Sequence, residues 1–252
     1  MGCIKEEFWH MKEICIQTKD LVKIYNHRPV VNELSFEVGV GEIVGLLGPN
    51  GAGKTTAFYL TAGLIRPDGG SVFFHGVDVT SKPIHLRARM GMGYLAQEPS
   101  VFRHLTVEEN LLCILETLPL NKKMRALKLE ELLHELHLEK LAKKKAYALS
   151  GGERRRLEIT RALITTPNLL LLDEPFANID PISIEEVKGL IRHLSKKGIS
   201  ILITDHNARE IFSIVERSYI VSEGKVLLSG TVNELISSPI ARQTYLGEGF
   251  TL

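Results

Sequence analysis

Apolar residues along the chain occur in short runs that alternate with polar segments. At residues 34–38, apolar and polar positions alternate one by one, which predicts a strand with one buried face. Three other runs are almost continuously apolar: EIVGLL at 42–47, NLLLLDEP at 168–175 and GISILITDH at 198–206. Continuous runs of this length predict strands buried on both faces, as in a parallel sheet.

Two further segments predict β-hairpins, and one long segment predicts helix. Residues 70–79 have turn residues near Gly76, and residues 218–230 have them at Gly224, which is typical of antiparallel strand pairs. Residues 106–141 are predicted to be helical from the spacing of their apolar positions. The apolar stripe of this segment consists of Leu129, Leu132, Leu133 and Leu136.

The order of these elements predicts the fold class. Apolar strands alternate with helices, which is typical of an α/β fold with a mostly parallel sheet. An antiparallel N-terminal sheet and a helical insertion at about 98–160 are expected to flank that sheet, within one domain spanning 13–252. Residues 1–12 are interpreted as an N-terminal extension that need not be ordered. They carry charges where a signal peptide needs an apolar stretch.

Composition narrows the class of protein. A chain of 252 residues with 44% apolar and 24% charged residues is expected to form a packed core. The net charge of +1 argues against a nucleic-acid partner, and the lysines at 143–145 are expected to form a solvated face. Three cysteines without framework spacing indicate reduced thiols in the cytosol. No apolar run is long enough to predict a membrane span.

A glycine-rich segment between a predicted strand and a predicted helix carries the first chemical signal. Residues 48–56 (GPNGAGKTT) contain the pattern G-x-x-x-x-G-K-[ST] of a phosphate-binding P-loop. Its glycines let backbone N–H groups close around a phosphate, its lysine adds charge there, and its threonine hydroxyl binds Mg²⁺. The predicted contact residues are Gly48, Pro49, Asn50, Gly51, Ala52, Gly53, Lys54, Thr55 and Thr56.

Two carboxylates follow the second continuous apolar run. Asp173 ends the strand, where a carboxylate can hold Mg²⁺ directly or through water. Glu174 comes next and is predicted to polarise the attacking water as general base. A pair of solvated acids at a strand end is the alternative interpretation, which the P-loop disfavours.

A second anion-binding feature lies far from the P-loop in sequence. Ser150, Gly151 and Gly152 precede a helical run, which is the pattern of a helix start whose free N–H groups can hold an anion. The arginines at 154–156 are interpreted mainly as helix surface. An ordinary capped surface helix is the alternative for this segment.

The P-loop, the sequence LSGGE at 149–153 and the sequence LLDEP at 171–175 together resemble the ABC-transporter ATPase family. The resemblance extends from about Ile14 to the C-terminus. It implies a P-loop NTPase fold with a RecA-like core, with ATP as substrate and Mg²⁺ as cofactor. It also implies a homodimer in which residues 149–153 of each subunit, the family's signature motif at the start of a signature helix, cap the ATP held by the other.

The resemblance implies roles for four further residues. Tyr25 matches the aromatic residue that stacks on adenine, and Gln97 matches the glutamine that touches Mg²⁺. Asp180 matches the loop that meets the partner subunit, and His206 matches the histidine that contacts the γ-phosphate. The alternatives are a core or surface tyrosine, a polar loop residue, a helix N-cap and a core histidine, respectively.

Within this family the chain resembles the branch of ATPase subunits of bacterial lipopolysaccharide exporters. SGGERRR, DEPFANIDPIS, TDHNARE and the terminal YLGEGFTL carry that resemblance. It implies two membrane subunits that dock at residues 97–103, with Phe102 and Arg103 as coupling residues. It also implies a location at the cytoplasmic face of the inner membrane, with membrane contact only through these partners.

Other functions remain as alternatives, and the chain departs from the branch in two places. An importer of branched-chain amino acids has the same catalytic motifs, whereas a soluble ABC ATPase or a P-loop kinase fits less well. The loop before Asp180 reads ANID rather than containing a glycine-valine pair. In the tail, Gly249 and Thr251 replace the usual acidic and basic residues.

Overall fold

The computed structural model describes residues 13–252, so the predicted extension at 1–12 lies outside the described residues. The N-terminal part forms a four-stranded antiparallel sheet in the order β2-β1-β4-β5. The alternating pattern at 34–38 belongs to β2, with its apolar side chains buried. The strands are β1 (Ile14–Tyr25), β2 (Arg28–Gly39), β4 (Gly69–Phe74) and β5 (Val77–Asp78).

A second sheet has six strands in the order β10-β9-β3-β8-β7-β6. All adjacent pairs are parallel except β9 and β10, which confirms the prediction of an α/β fold with a mostly parallel sheet. Both predicted hairpins are also confirmed, as β4–β5 and β9–β10. The strands are β3 (Ile43–Leu47), β6 (Met92–Leu95), β7 (Leu169–Asp173), β8 (Ser200–Thr204), β9 (Arg217–Ser222) and β10 (Lys225–Thr231).

The helices pack around this second sheet. They are α1 (Lys54–Ala62), α2 (Ile84–Arg89), α3 (Val107–Leu115), α4 (Lys122–Glu135), α5 (Gly151–Leu163), α6 (Pro181–Lys196), α7 (Ala208–Phe212), α8 (Val232–Ser237) and α9 (Pro239–Ala241). Short 3₁₀ turns occupy Glu139–Leu141 and Ala146–Ala148, and a π-helical turn occupies Arg242–Leu246.

Continuous helix over residues 106–141 is wrong, because the segment contains two helices. α3 ends at Leu115, and α4 begins only after Asn121, whose side chain caps it by accepting from the N–H of Met124 at 2.9 Å. Pro119 lies in the connection, where its missing N–H and fixed φ disfavour a continuous helix. The predicted apolar stripe does face the core of the protein.

Alternate residues of the central strands face two separate cores. In β7, Leu170 and Leu172 pack with the helices, whereas Leu169 and Leu171 pack towards the antiparallel sheet and α1. All five residues of β7 are buried, which is why the strand sequence is apolar at every position rather than at every second one. Of the helices within residues 13–252, none combines the length and the apolar character needed to cross a bilayer.

The loops that carry the predicted chemistry meet at one edge of the six-stranded sheet. The P-loop follows β3, Gln97 follows β6, Asp173 ends β7 and His206 follows β8. These strands are parallel, so their carboxyl ends lie at the same edge. In open α/β sheets ligands bind at this edge.

A buried arginine holds the far end of the P-loop helix. The Arg87 side chain is 1% exposed and donates to the carbonyls of Leu60 and Thr61 at the end of α1, at 2.9 and 2.6 Å. It also donates to the carbonyls of Lys82 and Thr80, at 2.7 and 3.1 Å. Burial lowers the pKa of Arg87 to about 10, so the guanidinium stays charged at neutral pH and satisfies the final carbonyls of the helix.

Replacement of this arginine is expected to destabilise the fold. Arg87→Met removes the donor of four carbonyls, two of them in fully buried hydrogen bonds, and should lower the free energy of unfolding by about 3 kcal/mol. Urea denaturation measures this loss. Arg89→Met on the same helix is the control, because Arg89 is exposed, and it should change stability by less than about 0.5 kcal/mol. Equal effects of the two substitutions would contradict the anchoring role.

Candidate active site

The P-loop has the backbone of a phosphate-binding loop at positions that only glycine can occupy. Gly48 has φ +148°, and a Cβ there would lie 2.1 Å from the Val221 carbonyl oxygen. Gly53 has φ +98°, and a Cβ there would lie 2.5 Å from the Val30 carbonyl oxygen. Both glycines therefore let the loop approach neighbouring backbone more closely than any side chain permits.

The start of α1 offers positive potential to an anion. Gly53 caps the helix without a side-chain acceptor, and the first turn contains no acidic residue. The Lys54 ammonium donates to the carbonyls of Gly48 and Pro49, at 2.7 and 2.9 Å, and so lies inside the loop. Burial lowers the pKa of Lys54, and the charges of Glu174 and Asp173 oppose that shift. Thr55 and Thr56, in the first turn, are partly buried.

Asp173 is a buried carboxylate whose oxygens have no hydrogen-bond donor. Its side chain is 1% exposed, and neither oxygen meets a partner in the described part of the chain. Burial raises its pKa to about 6; the charge of Glu174 adds to that shift, whereas Arg155, Lys54 and the nearby Tyr94 hydroxyl act against it. Buried carboxylates normally have partners. A divalent cation would supply one, so the donor set fits Mg²⁺.

The structure brings together three predicted residues that are distant in sequence. The Gln97 amide donates to Glu174 Oε2 at 2.8 Å, and His206 Nδ1 lies 3.7 Å from the same oxygen. The backbone of Glu174 has φ +47°, and its N–H donates to the Thr204 carbonyl at 2.8 Å. That left-handed backbone turns the glutamate away from the direction of β7. The roles of all three side chains stay predictions.

The sequence analysis interpreted the arginines at 154–156 mainly as helix surface. For Arg155 this is wrong, because its side chain is only 5% exposed. It forms an ion pair with Glu158 at 2.9 Å. Residues 152, 155, 159 and 163 share one buried face of α5, so helical periodicity was the signal that pointed to its burial. The guanidinium donates to the carbonyls of Ala96, Asp173, Glu174 and Pro175. The helix after the signature motif is thereby tied to the loops that carry Gln97 and Glu174.

The segment at 150–152 starts α5 with a capping box. Ser150 Oγ accepts from the Glu153 N–H at 3.2 Å, and the Glu153 carboxylate accepts from the Ser150 N–H at 2.7 Å. A Cβ on Gly152 would lie 2.3 Å from Ser183 Oγ, and one on Gly151 would lie 2.9 Å from the backbone of the loop before α6. The glycines are therefore needed for close packing of α5 on α6.

The remaining predicted residues are Asp180, Tyr25, Phe102 and Arg103, and each has a different local environment. Asp180 is the N-cap of α6 and accepts from Ser183, which is the alternative that the sequence left open for it. Tyr25 ends β1 with 45% of its surface exposed. Phe102 is 49% exposed, and Arg103 is exposed beside it.

The C-terminal tail contacts the loop that contains His206, and the sequence did not reveal this contact. The Tyr245 hydroxyl donates to the His206 carbonyl at 3.4 Å, and burial raises the pKa of Tyr245 to about 12. Phe250 packs edge-on against a phenylalanine of α7, with ring centroids 5.9 Å apart. The two residues that depart from the branch, Gly249 and Thr251, are exposed.

Comparison with known proteins places this arrangement in a family. The ABC transporter family profile matches residues 31–177. The lipopolysaccharide export system ATP-binding protein LptB of Acidithiobacillus ferridurans is 54% identical over 237 residues, which cover 94% of this chain and 98% of the relative. LptB of Escherichia coli K12 is 47% identical over 238 residues, covering 94% and 99%.

A solved structure shows the same fold. The crystal structure of the ADP conformation of an ATP-binding cassette of an ABC transporter superimposes with a TM-score of 0.83 at 28% identity. The superposition covers 93% of this chain and 99% of the cassette.

The unpartnered Asp173 carboxylate predicts an unusual pH dependence. Because its folded-state pKa is raised to about 6, it favours the folded state below about pH 4 and loses that contribution as pH rises through about 6. Asp173→Asn should therefore raise the unfolding free energy by about 2 kcal/mol at neutral pH. Urea denaturation of both proteins at about pH 4.5 and pH 7.5 should show a gain that shrinks in acid. A pH-independent gain, or a loss at pH 7.5, would contradict this account.

Proposed function

Because the chain belongs to the ABC transporter family of ATP-binding proteins, we propose that two copies of it form the ATPase of a lipopolysaccharide exporter. The observation that carries the proposal is identity of 54% and 47%, over nearly the whole chain, to two proteins named for that export system. ATP hydrolysis is the shared activity of this family. The transported lipid would contact the membrane subunits rather than this chain.

The nucleotide is proposed to bind at the carboxyl edge of the six-stranded sheet. The backbone N–H groups of the P-loop and the Lys54 ammonium would hold its phosphates, because the loop leads into the positive N-terminal end of α1. Lys54 would leave the carbonyls of Gly48 and Pro49, which it now contacts, for the phosphates. The exposed ring of Tyr25 is available for stacking on the adenine.

Three side chains are proposed to hold Mg²⁺. Asp173 contributes an unpaired carboxylate, Thr55 a hydroxyl on the first turn of α1, and Gln97 its amide oxygen. When bound, the metal neutralises charge that develops on the phosphates. The nearly complete burial of Asp173 supports this assignment, because its oxygens have no direct hydrogen-bond partner within the described residues.

Glu174 is proposed to accept the proton of the attacking water. Its carboxylate lies beside Gln97 and His206, so it is oriented from two sides. His206 would donate to the γ-phosphate or orient the water from the opposite loop. Arg155 fixes the carbonyls on both sides of this glutamate, which keeps the carboxylate in one position relative to the P-loop.

The second subunit is proposed to complete each site. Residues 150–152 form the N-cap and first two positions of α5, and the N-terminal end of a helix attracts anions. The loop that contains Asp180 packs directly against these glycines, so both would meet the partner together. ATP would then join the two copies, and hydrolysis would release them.

The coupling surface is proposed to surround Phe102 and Arg103. The Phe102 ring is half exposed, and the Arg161 guanidinium lies 5.0 Å from its centroid. The Asn110 side chain bonds both the N–H and the carbonyl of Phe102, at 2.8 and 3.0 Å. A rigidly held aromatic residue with flanking arginines is typical of an interface anchor. Through two such membrane subunits the ATPase would sit at the cytoplasmic face of the inner membrane.

The general base can be tested by one conservative change. Glu174→Gln removes the proton acceptor but keeps the side-chain shape, so ATP binding should persist while turnover falls by about 100-fold or more. ATP should also hold two copies together, which sedimentation in the presence of MgATP measures. Turnover close to that of the parent would show that another group accepts the proton.

The coupling surface can be tested by purification from the native membrane in mild detergent. The parent should bring down two membrane subunits with large periplasmic domains. Phe102→Ala and Arg103→Ala should each reduce their recovery by about tenfold. Leu127→Ala, a similarly exposed apolar residue on α4, is the control and should not. Recovery of permeases with a soluble binding protein would instead indicate an importer and refute the export proposal.

A further inference from the structure

The signature helix, α5, carries a negatively charged side chain at the end that would have to attract a negatively charged phosphate in the proposed function. Glu153 lies in the first turn of α5 and is the acidic residue of its capping box. Its carboxylate accepts from the Ser150 N–H at 2.7 Å, so it sits at the same helix end that would receive the partner's phosphate. The Glu153 carboxylate and the phosphate would repel each other, and this repulsion would offset the attraction between the phosphate and the helix dipole.

A lysine from the preceding loop neutralises this carboxylate. Lys144 Nζ lies 3.1 Å from Glu153 Oε2, the same oxygen that takes the Ser150 N–H. The side chains are 38% and 21% exposed, so the pair is only partly screened by solvent. Burial acts to raise the pKa of Glu153, but the Ser150 N–H and Lys144 outweigh it and leave the pKa lowered. The glutamate is therefore ionised at neutral pH.

Backbone hydrogen bonds fix the position of the loop that carries Lys144. The Lys144 carbonyl accepts from the Val107 N–H at 3.0 Å, and Lys145 forms a β-bridge with Thr106. The loop is thus attached to the start of α3, and its side chains project in set directions. It is not the uniformly solvated face that the sequence predicted for residues 143–145.

Of the three adjacent lysines, only the middle one pairs with the signature helix. Lys143 pairs with Glu108 at 2.5 Å and Lys145 with Glu109 at 3.3 Å, both on α3. The first basic residue of α5, Arg154, donates instead to the Leu149 carbonyl at 3.3 Å. Lys144 is therefore the cation that compensates the capping carboxylate.

We propose that Lys144 is a positioning residue for the nucleotide held by the partner subunit: by pairing with Glu153 it leaves the start of α5 free to attract the partner's phosphate. The inference rests on the proposed function, because it requires that residues 150–152 cap the ATP of a second copy. Lys144 itself need not touch the nucleotide. Its effect should appear in the concentration of ATP needed for activity.

The test is a double-mutant cycle on the purified full chain, with steady-state ATP hydrolysis as readout. Lys144→Met should raise KM for ATP about two- to fivefold, the range for one surface charge near a helix terminus, with kcat unchanged. Lys144→Arg should restore the parent KM. In a Glu153→Gln background, where the cap is kept and the charge is gone, Lys144→Met should have no further effect.

Two controls separate charge compensation from a structural role. Lys143→Met removes the neighbouring lysine, whose side chain is 83% exposed and which pairs with α3, and should leave KM unchanged. The effect of Lys144→Met should also shrink as salt rises. An equal rise in KM with and without Glu153→Gln, or no rise at all, would overturn the inference. Loss of ATP hydrolysis by the parent would instead overturn the proposed function.

Discussion

The structure depends on one constraint: four parallel strands bring their carboxyl ends to a single edge of the sheet. The P-loop, Gln97, Asp173 and His206 come from separate parts of the chain, and each follows a different strand of that set. Because β3, β7 and β8 are each buried along their whole length, this edge of the sheet cannot shift without disrupting both cores. The chemistry is thereby held on rigid elements, with only short loops left to carry functional side chains.

Two charged groups at this edge form no direct ion pair within the described residues. Asp173 is buried without a donor, and Lys54 has only backbone carbonyls for its ammonium. Arg155 orders the carbonyls of Asp173 and Glu174. At the start of α5, which is a separate place in the fold, Lys144 pairs with Glu153. In the ligand-free protein, charged groups without an ion pair have an unfavourable electrostatic free energy. Binding of ligands of opposite charge offsets it.

Much of the fold and site could be predicted because the signals are local. Continuous apolar runs predicted β3, β7 and β8, and the P-loop pattern placed Lys54 on the first turn of a helix. Most errors and omissions concern side chains whose partners are far away in sequence. Arg155 and Arg87 bond carbonyls of other elements. Such partners are set by tertiary packing, which no short window contains. The break between α3 and α4 is a different kind of error, because Pro119 is a local signal in the sequence.

The central claim is that each nucleotide site is shared between two copies, and mixing two defective variants tests it most directly. Lys54→Met removes the P-loop charge, whereas Ser150→Asp keeps a good helix cap but places a carboxylate at the signature end. Each variant, labelled with a different fluorophore, should fail to self-associate with MgATP. Together they form one intact shared site, so the account predicts energy transfer between the labels on adding MgATP. No transfer in the mixture, under conditions where the parent associates, would contradict it.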